Sequence, residues 1–329
     1  MHKDEMKKTP EKKCLSCGIG LTILAACCFG LIPMFAKMAY SGGFNPYSFS
    51  LFRMMSTAGL LWIILKRKKL SIAISREQGK SLLYAAFFGY YLMMVTLCVS
   101  YNHMATGLAT TLHFIYPVAT MVGAVLFFKE RITPVQVWAL VVSILGIFLL
   151  TGLDDSGGPI SLNGFILAVS SGIFYAWYIL IVSHGAVKDL NSFVVIFYIV
   201  LFNTIFLFLT CLFMGNFPTE VTSTGLLGIL LVALVSSVVG MVAFQAGLKQ
   251  ISATSATILS PFELITSLVV GIAFLGEELS SLQVGGCVLI VFSVVAVALS
   301  EGKKRPEPLA GTAMSFKIKK GQRRVPQNQ

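Results

Sequence analysis

Charged residues are scarce in this chain of 329 residues, and their scarcity limits what the protein can be. Asp, Glu, Lys and Arg make up 12% of the sequence, hydrophobic residues make up 56%, and the mean hydropathy is +0.83. A soluble globular domain carries about 25% charged residues, which cover its water-facing surface. This chain cannot cover such a surface. The sequence therefore excludes a soluble protein and indicates a membrane protein.

The motifs of several enzyme and pump classes are also absent. The sequence has no Walker A motif for ATP-driven pumping and no G-x-S-x-G motif of serine hydrolases. Cys14 and Cys17 form one CxxC without the second pair that a structural zinc site normally needs. The other cysteines lie in apolar segments and indicate no disulfide framework. We therefore expect no enzyme, no cofactor and no bound metal.

Apolar runs take the place of the alternating pattern that is typical of membrane β-barrels. About 20 apolar residues are needed for a helix to cross a hydrocarbon core about 30 Å thick. Because lipid offers no hydrogen bonds to the backbone, such runs must be helical. The predicted spans are 17–39, 46–65, 81–101, 105–128, 135–152, 162–183, 192–214, 224–247, 252–276 and 282–300.

Lysine and arginine are missing from every second predicted loop. All of the 25 Lys and Arg residues except Lys37 and Arg53 lie in the two tails or in the loops after even-numbered spans. The positive-inside rule therefore predicts a multi-pass protein of the cell membrane with both termini in the cytoplasm. The net charge of +11 is interpreted as a topology signal. We expect the lipid bilayer and a small-molecule substrate as partners and no nucleic acid, and a homodimer is left open.

An internal repeat relates the two halves of the chain. Residues 105–137 align with residues 252–284 and share the patterns A-T-x-L and E-x5-Q-V at matching positions. Each segment covers the fourth span of its half and the start of the fifth, which indicates five helices in each half. Because five is odd, the second half must enter the membrane from the opposite face, as in the inverted repeats of secondary transporters.

The predicted fold is an all-α integral membrane protein with ten transmembrane helices in two inverted five-helix repeats. The predicted units are a cytoplasmic basic tail, the first repeat, an external linker, the second repeat and a second cytoplasmic basic tail, at 1–16, 17–152, 153–161, 162–300 and 301–329 respectively.

Four segments carry a resemblance to a known family: Gly30, NPYSFSLFR at 45–53, PVATMVGAVLFFKERIT at 117–133 and ILSPFELITSLVVGIAFLGEELSSLQVGG at 258–286. In these segments the chain resembles the EamA-type members of the drug/metabolite transporter superfamily. The resemblance implies ten helices in inverted repeats and the movement of small metabolites, often outward. It also marks Arg53 as a position common in the family. One departure is that family members often have Glu-Pro in the ninth span, whereas Leu264 follows Glu263 here and the proline is Pro261.

A single carboxylate, Glu263, lies in the middle of the ninth predicted span. A charged group at the centre of a bilayer costs a few kcal/mol on insertion scales, so it is expected to face the protein interior and to be functional. Helical spacing places Ser260, Glu263 and Ser267 on one face, with Thr257 one turn earlier. The repeat equivalents of Thr257, Ser260, Glu263 and Ser267 are Thr110, His113, Tyr116 and Thr120. These two polar faces predict a substrate-binding cavity near the middle of the membrane.

Aromatic residues of the third and sixth spans extend this predicted site. The additional candidates for contact with an organic solute are Tyr90, Tyr91, Tyr175, Trp177 and Tyr178. Arg53 in the second span is suited to an anionic group of the solute or to pairing with a carboxylate. Glu130 and Glu277, which end the fourth and ninth spans, are interpreted as cap or loop contacts.

A structural alternative stays open for each candidate. Glu263, Ser260 and Thr257 could hydrogen-bond backbone groups that Pro261 leaves unpaired, and His113 could do the same near Pro117. A histidine in this position could instead couple transport to protons. The aromatic side chains could simply pack between helices.

These patterns predict a secondary active transporter or exchanger of a small organic solute, working by alternating access and exporting its substrate. The first alternative is a membrane-embedded lipid-modifying enzyme, which a single buried acid argues against. The second is a non-transporting membrane sensor, which would usually carry a folded soluble domain, and both tails are too short for one. An ion channel would normally assemble around an axis instead of duplicating within one chain.

Overall fold

The computed structural model describes residues 15–104, 106–151, 161–218, 220–275 and 280–303, and every regular element within these ranges is helical. The predicted all-α class is therefore confirmed for the described part of the chain. Cys14, Glu277 and most of the predicted tails and linker lie outside it. The helices are α1 Leu15–Ser41, α2 Pro46–Arg67, α3 Arg76–Ser100, α4 Thr106–His113 with Tyr116–Phe128, α5 Pro134–Thr151, α6 Leu162–His184, α7 Ser192–Met214, α8 Ser223–Gly247, α9 Ala253–Leu259 with Phe262–Leu275, and α10 Ser281–Lys303.

Nine helices of the described residues, all except α5, are long and apolar enough to cross a membrane. The apolar part of α5, Pro134–Leu149, is shorter. Large apolar side chains point outward along the helices, including Phe213 at 85% and Phe274 at 72% exposure. An apolar outer surface of this kind is suited to lipid and not to water. The protein is therefore a multi-pass membrane protein.

Short polar caps set several helix starts. The Asn45 side chain accepts hydrogen bonds from the amides of Tyr47 and Ser48, and the Ser48 hydroxyl accepts one from the Asn45 amide. Ser75 and Gln78 form the same reciprocal capping box at the start of α3. Such boxes satisfy two amides that a helix start leaves unpaired. The polar residues between apolar runs therefore define where α2 and α3 begin.

Three helices are interrupted next to a proline. α1 is broken at Leu31, two residues before Pro33, and α4 is broken between His113 and Tyr116, just before Pro117. α9 is broken between Leu259 and Phe262, at Pro261. Proline cannot donate the hydrogen bond that continues a helix, and its ring crowds the preceding turn. The breaks in α4 and α9 fall at nearly equivalent positions of the two repeats.

Two further helices contain π-helical turns, which the sequence does not predict. The segment Ala85–Tyr91 interrupts α3, and the segment Val232–Met241 interrupts α8. Ala85 and Val232 are 147 residues apart, which is the same offset that relates 105–137 to 252–284. π-helical turns occur frequently at functional sites because the wider turn re-aims the side chains that follow it. The two halves therefore share this irregularity as well as their helix breaks.

Contacts between loops sort the helix ends into two groups. At one end the Thr222 amide donates to Gly42 O at 3.1 Å, and the Asn45 side-chain amide donates to Asn216 O at 3.1 Å. At the other end Tyr198 donates to Ile72 O, Lys249 donates to Leu190 O, and Glu130 faces His184. We call this second end the basic end, because it carries the described lysines and arginines that follow even-numbered helices.

Candidate functional site

The helix breaks place Glu263 and Tyr116 each in the first turn of a helical segment. Tyr116 is the first residue of Tyr116–Phe128, and Glu263 is the second residue of Phe262–Leu275. The start of a helix carries partial positive charge, which favours a carboxylate there. The Tyr116 hydroxyl lies close to Ser260 and interacts electrostatically with Glu263. The breaks in α4 and α9 therefore bring these three side chains together.

A continuous group of rings from α3, α4 and α6 lies beside Glu263. We call it the aromatic cluster, and its members are Tyr90, His113, Tyr116, Tyr175 and Tyr178. Ring centroids are 4.9 Å apart for Tyr116 and Tyr175, 5.7 Å for His113 and Tyr175, and 5.5 Å for Tyr90 and Tyr178. The Tyr175 and Tyr178 rings are stacked at 5.9 Å. The structure thus brings together five of the sequence-predicted site residues.

Glu263 meets this cluster through two tyrosines. It interacts electrostatically with Tyr116 of α4 and with Tyr175 of α6. Tyr116 is 1% exposed, whereas Glu263, Tyr175 and His113 are half-buried. The half-buried groups keep surface that a small molecule or water can reach. The arrangement is an acidic group bordered by aromatic rings.

His113 is held in one orientation by a hydrogen bond across helices. Its Nδ1 lies 2.9 Å from the Ser171 hydroxyl of α6, and that hydroxyl donates to Ala168 O at 2.6 Å. Because the single hydroxyl hydrogen of Ser171 is already used, Nδ1 of His113 must carry the donated hydrogen. In the neutral ring the other nitrogen, Nε2, is then an acceptor. His113 therefore bonds to a neighbouring helix and not to a backbone group freed by Pro117.

Glycines let neighbouring helices approach the two breaks closely. A Cβ built on Gly30 of α1 would lie 2.5 Å from the backbone oxygen of Glu263 and 2.5 Å from Thr266 Cβ. A Cβ on Gly172 of α6 would lie 2.5 Å from the backbone oxygen of His113. Only glycine permits these contacts without displacing backbone. The site is therefore held between α1 and α9 on one side and between α4 and α6 on the other.

The π-helical turn of α3 determines which of two adjacent tyrosines reaches the cluster. Tyr90 contacts Tyr178, and a Cβ on the neighbouring Gly89 would lie 2.6 Å from Tyr178 Cβ. Tyr91 instead bonds to the Thr210 hydroxyl of α7 at 2.7 Å and stacks on Phe87. The structure places Tyr91 outside the site, because the wide turn directs it toward α7.

Trp177 also lies away from the aromatic cluster. Its side chain is 40% exposed and contacts Phe127 edge to face. It borders an outward-facing apolar groove of about 460 Å³ between α3, α4 and α6, together with Phe88 and Val122. Trp177 is flanked by cluster residues in sequence, but helical rotation turns it toward the outer surface.

The threonine and serine candidates have partners that fit the structural alternative. Thr257 is fully buried and donates to Thr254 O at 2.9 Å. Ser260 donates to Ala256 O at 3.0 Å, one turn before Pro261, and also meets Tyr116. Because α9 is broken after Leu259, the single helical face predicted for Thr257, Ser260, Glu263 and Ser267 is not continuous. Thr110 is hydrogen-bonded to Tyr101, outside the cluster.

Arg53 belongs to a second polar group. It is 7% exposed, and its Nε donates to the Ser237 hydroxyl of α8 at 2.7 Å. It also interacts electrostatically with Tyr40 of α1. No carboxylate in the described ranges forms an ion pair with it. Ser237 lies in the π-helical turn of α8, 147 residues after Tyr90. Its contact with Arg53 was not predicted, because the sequence does not indicate that turn.

A polar network joins both halves of the chain at the basic end. Glu130, after α4, lies 3.5 Å from His184 Nε2 at the end of α6. Gln136 of α5 donates to the hydroxyls of Ser255 at 2.8 Å and Ser252 at 3.3 Å, both near the start of α9. The predicted role of Glu130 as a loop contact agrees with this position. We call these five side chains the basic-end network.

The Glu130 carboxyl is the acidic group of this network. Burial alone would raise its pKa, but the facing His184 imidazole and the nearby Thr254 and Ser252 hydroxyls hold the pKa below its ordinary value. Although these groups face it, neither carboxylate oxygen makes a complete hydrogen bond to them. The contact with His184 therefore provides most of the compensation for burying Glu130.

Replacing Glu130 with glutamine is expected to lower the free energy of unfolding by about 1 kcal/mol at pH 7, because the contact between the carboxylate and His184 is lost. Because folding lowers this pKa, the carboxylate stabilises the fold above the ordinary value of 4.5, and the contribution is lost as the pH falls through the lowered value. Thermal unfolding of purified protein at pH 7 and at pH 4 measures this. Glu220→Gln, at an exposed carboxylate, is the control. A deficit of the same size at both pH values would contradict the role of the charge.

Comparison with known proteins adds the decisive observation. The model of the EamA-like transporter family matches this chain twice, over residues 16–152 and 162–299. The chain belongs to the EamA-like transporter family. The two matches also show that the protein is a repeat of two family domains, and membership indicates a transporter and not an enzyme.

Individual relatives agree with this assignment. An uncharacterized transporter of Bacillus subtilis, YcbK, is 23% identical over 92% of this chain and 100% of its own length. An uncharacterized transporter of Synechocystis, sll1319, is 26% identical over 63% of each chain. One solved crystal structure covers 87% of this chain and 97% of its own with a TM-score of 0.77 at 12% identity, which shows a shared fold.

Proposed function

We propose that this family member is a secondary active transporter or exchanger that moves a small organic solute outward across the cell membrane by alternating access. The carrying observation is Glu263, a carboxylate at a helix break that borders a cluster of aromatic rings. Discontinuous helices that present polar groups near the middle of the membrane are typical of secondary transporter sites. In this proposal the solute contacts Glu263 and the aromatic cluster, and Arg53 provides a second polar contact.

The charge distribution supports the membrane orientation in this proposal. The described loops that carry lysine and arginine meet at the basic end, which the positive-inside rule assigns to the cytoplasm. Both termini are then cytoplasmic. With five helices in each family domain, the domains have opposite orientations. The shared breaks in α4 and α9 and the π-helical turns at Ala85 and Val232 fit two copies of one unit.

The basic-end network supports the alternating-access step. It connects α4, α5 and α6 to the start of α9, so it closes the cytoplasmic end in the proposed orientation. A solute that enters from the cytoplasm requires these contacts to separate. Hydrogen bonds of moderate net strength, typically about 0.5–1.5 kcal/mol each, can be broken and remade in each cycle. The network is therefore suited to a reversible gate.

Locking this gate is expected to stop transport. The Gln136 and Ser255 side chains touch, so Gln136→Cys with Ser255→Cys places two thiols within reach of a short, reducible bifunctional methanethiosulfonate cross-linker between α5 and α9. After cross-linking we expect transport to fall at least tenfold and to return when a reductant is added, because the lock holds one conformation. The native cysteines are first replaced by alanine or serine, and each single-cysteine variant is a control. Full activity in the cross-linked protein would contradict this gate.

The function itself is tested in proteoliposomes containing the purified chain. Vesicles are loaded with an unlabelled amine, amino acid, nucleoside or organic acid, and uptake of the same labelled compound is followed with and without a pH gradient. Accumulation by exchange for at least one compound, absent from empty vesicles, is the expected result. No exchange for any compound, together with modification of the vesicle lipids, would favour a lipid-modifying enzyme and overturn the proposal.

A further inference from the structure

The apolar groove beside Trp177 takes no part in the proposed function. α6 packs against both α3 and α4, and residues of all three helices line the groove. The lining extends from Ile173, in the middle of α6, to Phe127, the last residue but one of α4. Gly123 lets α4 lie close to Leu180, because a Cβ on Gly123 would be 2.5 Å from Leu180 Cδ1. The groove therefore runs along α6 from its middle to the basic end.

Exposed aromatic rings border this groove on each of its three helices. Phe127 of α4 and Trp177 of α6 meet edge to face at 6.0 Å, and Phe88 of α3 stacks on Tyr84 at 5.7 Å. Aromatic rings provide rigid contact area at a low cost in side-chain entropy. The volume of about 460 Å³ lies within the range of sites that hold small molecules. The groove is therefore a preformed apolar surface that opens to the bilayer.

Lys80 connects this groove to the basic end along α3. Lys80, Tyr84 and Phe88 are spaced by four residues, so they share one face of the helix. Both Lys80 and Tyr84 are exposed. A Cβ on Gly185, the residue that follows α6, would lie 3.2 Å from the Ser81 hydroxyl oxygen. Lys80 is therefore placed beside the basic end of α6.

Lys129 flanks the same end of α6 from α4. It directly follows Phe128, whose ring stacks on His184 at 4.3 Å. Lys129 is exposed, and the acidic residue next to it, Glu130, faces His184. Within the described residues no carboxylate forms an ion pair with Lys80 or Lys129. The groove therefore ends between two exposed cations.

This combination of groove and cations is suited to an anionic phospholipid. An acyl chain matches an apolar, ring-lined groove, and a phosphate matches two lysines at the end of the helices. Basic pockets between transmembrane helices are typical binding sites for anionic lipid headgroups. A zwitterionic phospholipid has the same acyl chains, but its own ammonium group already accompanies its phosphate. The two lysines therefore favour a headgroup with net negative charge.

We propose that the apolar groove binds an acyl chain of an anionic phospholipid whose phosphate lies between Lys80 and Lys129. The lipid comes from the membrane leaflet at the basic end. It connects α3, α4 and α6, the three helices that carry the aromatic cluster, without entering the cluster. Because this lipid site is separate from Glu263, the proposal does not depend on which solute the protein moves.

Trp177 provides a direct test of what occupies the groove. Trp62→Phe with Trp138→Phe leaves it as the single tryptophan of the chain, and a lipid with brominated acyl chains quenches the fluorescence of a tryptophan that it touches. The purified chain is placed in phosphatidylcholine vesicles that contain a small fraction of brominated lipid. We expect brominated phosphatidylglycerol to quench Trp177 at a several-fold lower fraction than brominated phosphatidylcholine.

Two other results of this measurement would overturn the proposal. Equal quenching by the two brominated lipids would show that the groove holds ordinary bilayer lipid without selection of its headgroup. Quenching by neither lipid would show that the groove is covered by something else, such as a second copy of the chain.

Two pairs of lysine and arginine variants test the headgroup contact. Lys80→Gln with Lys129→Gln is expected to remove the preference for phosphatidylglycerol and to leave quenching by phosphatidylcholine unchanged. Arg67→Gln with Lys69→Gln removes the same charge near the end of α2, where Lys68 lies over the Phe193 ring of α7, and is expected to keep the preference. Equal losses in the two double variants would show a general effect of net charge and overturn the phosphate site.

A pair of valine variants on α4 tests the acyl chain contact. Val122 lines the groove, so Val122→Phe fills part of it and is expected to reduce quenching of Trp177 by phosphatidylglycerol several-fold. Val125 is also exposed but does not line the groove, and Val125→Phe is expected to leave quenching unchanged. Equal quenching in the two variants would place the acyl chain outside the groove.

Discussion

Glu263→Gln is expected to abolish solute transport while the chain still folds and inserts into the membrane. Glutamine has almost the same shape as glutamic acid, and Glu263 makes no ion pair in the described residues that its loss would leave unpaired. Removing a carboxylate that has no counter-charge also removes the cost of burying it. Folding is therefore expected to be unchanged or slightly more favourable. Transport is different, because glutamine cannot carry the negative charge with which Glu263 contacts the solute in the proposed function.

The measurement compares transport and stability in the same preparations. We expect exchange in proteoliposomes to fall at least a hundredfold, with the yield and thermal unfolding of the variant close to those of wild type. Glu77→Gln, at an exposed carboxylate near the start of α3, is the control and should retain full exchange. If Glu263→Gln aggregates or unfolds early, the structural interpretation of Glu263 is supported instead. If it transports normally, the site lies elsewhere.

A side chain at Gly30 is expected to disrupt both folding and transport. In Gly30→Val the new Cβ would lie 2.5 Å from the Glu263 backbone oxygen and 3.0 Å from the Ser267 amide nitrogen. Because backbone atoms cannot rotate away, α1 and α9 must separate. Overfilling a packed interior typically costs about 1–3 kcal/mol, and valine adds two methyl groups beyond the Cβ contact. The separation also moves Glu263 relative to the aromatic cluster.

Gly20 provides a matched control on the same helix. A Cβ built on Gly20 meets no atom within 4 Å. We expect Gly20→Val to express and transport like wild type, whereas Gly30→Val unfolds several degrees earlier and exchanges at least tenfold more slowly. Size-exclusion profiles and thermal unfolding measure the first effect, and vesicle exchange measures the second. Equal behaviour of the two variants would show that α1 and α9 do not pack closely at Gly30.

Much of the fold could be predicted from the sequence because membrane insertion leaves few choices. Low charge and long apolar runs require helices in lipid, and nine of the ten predicted spans correspond to helices long and apolar enough to cross a membrane. The internal repeat is also confirmed at the level of two family domains. The fifth predicted span, 135–152, and the opposite orientation of the halves stay predictions.

The candidate site was predicted in part. Glu263, His113, Tyr116, Tyr175 and Tyr178 are brought together, and they could be proposed because an acid and its repeat partners are conspicuous in apolar helices. The prediction of one continuous helical face was wrong for α9, because the break at Pro261 ends the face on which Thr257 lies. A local sequence does not show how far a proline displaces the next turn, because the neighbouring helices absorb that displacement.

The adjacent tyrosines of α3 show what the sequence left undecided. Tyr90 and Tyr91 are chemically identical, yet Tyr90 contacts Tyr178 while Tyr91 contacts Thr210. The π-helical turn decides between them, and no residue type requires such a turn. Its wide backbone is stabilised by packing against α6, where Gly89 meets Tyr178. Contacts between helices therefore decided a detail that spacing could not.

The sequence by itself determined that this protein lies in a membrane and that its helices form two repeated units. It also determined that Glu263 is unfavourable in contact with lipid. These results follow from the free energy of transferring each residue from water to hydrocarbon. That free energy depends on the residue type, so the composition and the order of residues along the chain determine them. Only the tertiary structure decided which rings border Glu263, which tyrosine faces inward and which side chains join the two halves at the basic end. Those outcomes depend on distances between helices. Helices in lipid associate through complementary shape and through hydrogen bonds between residues that are far apart in sequence.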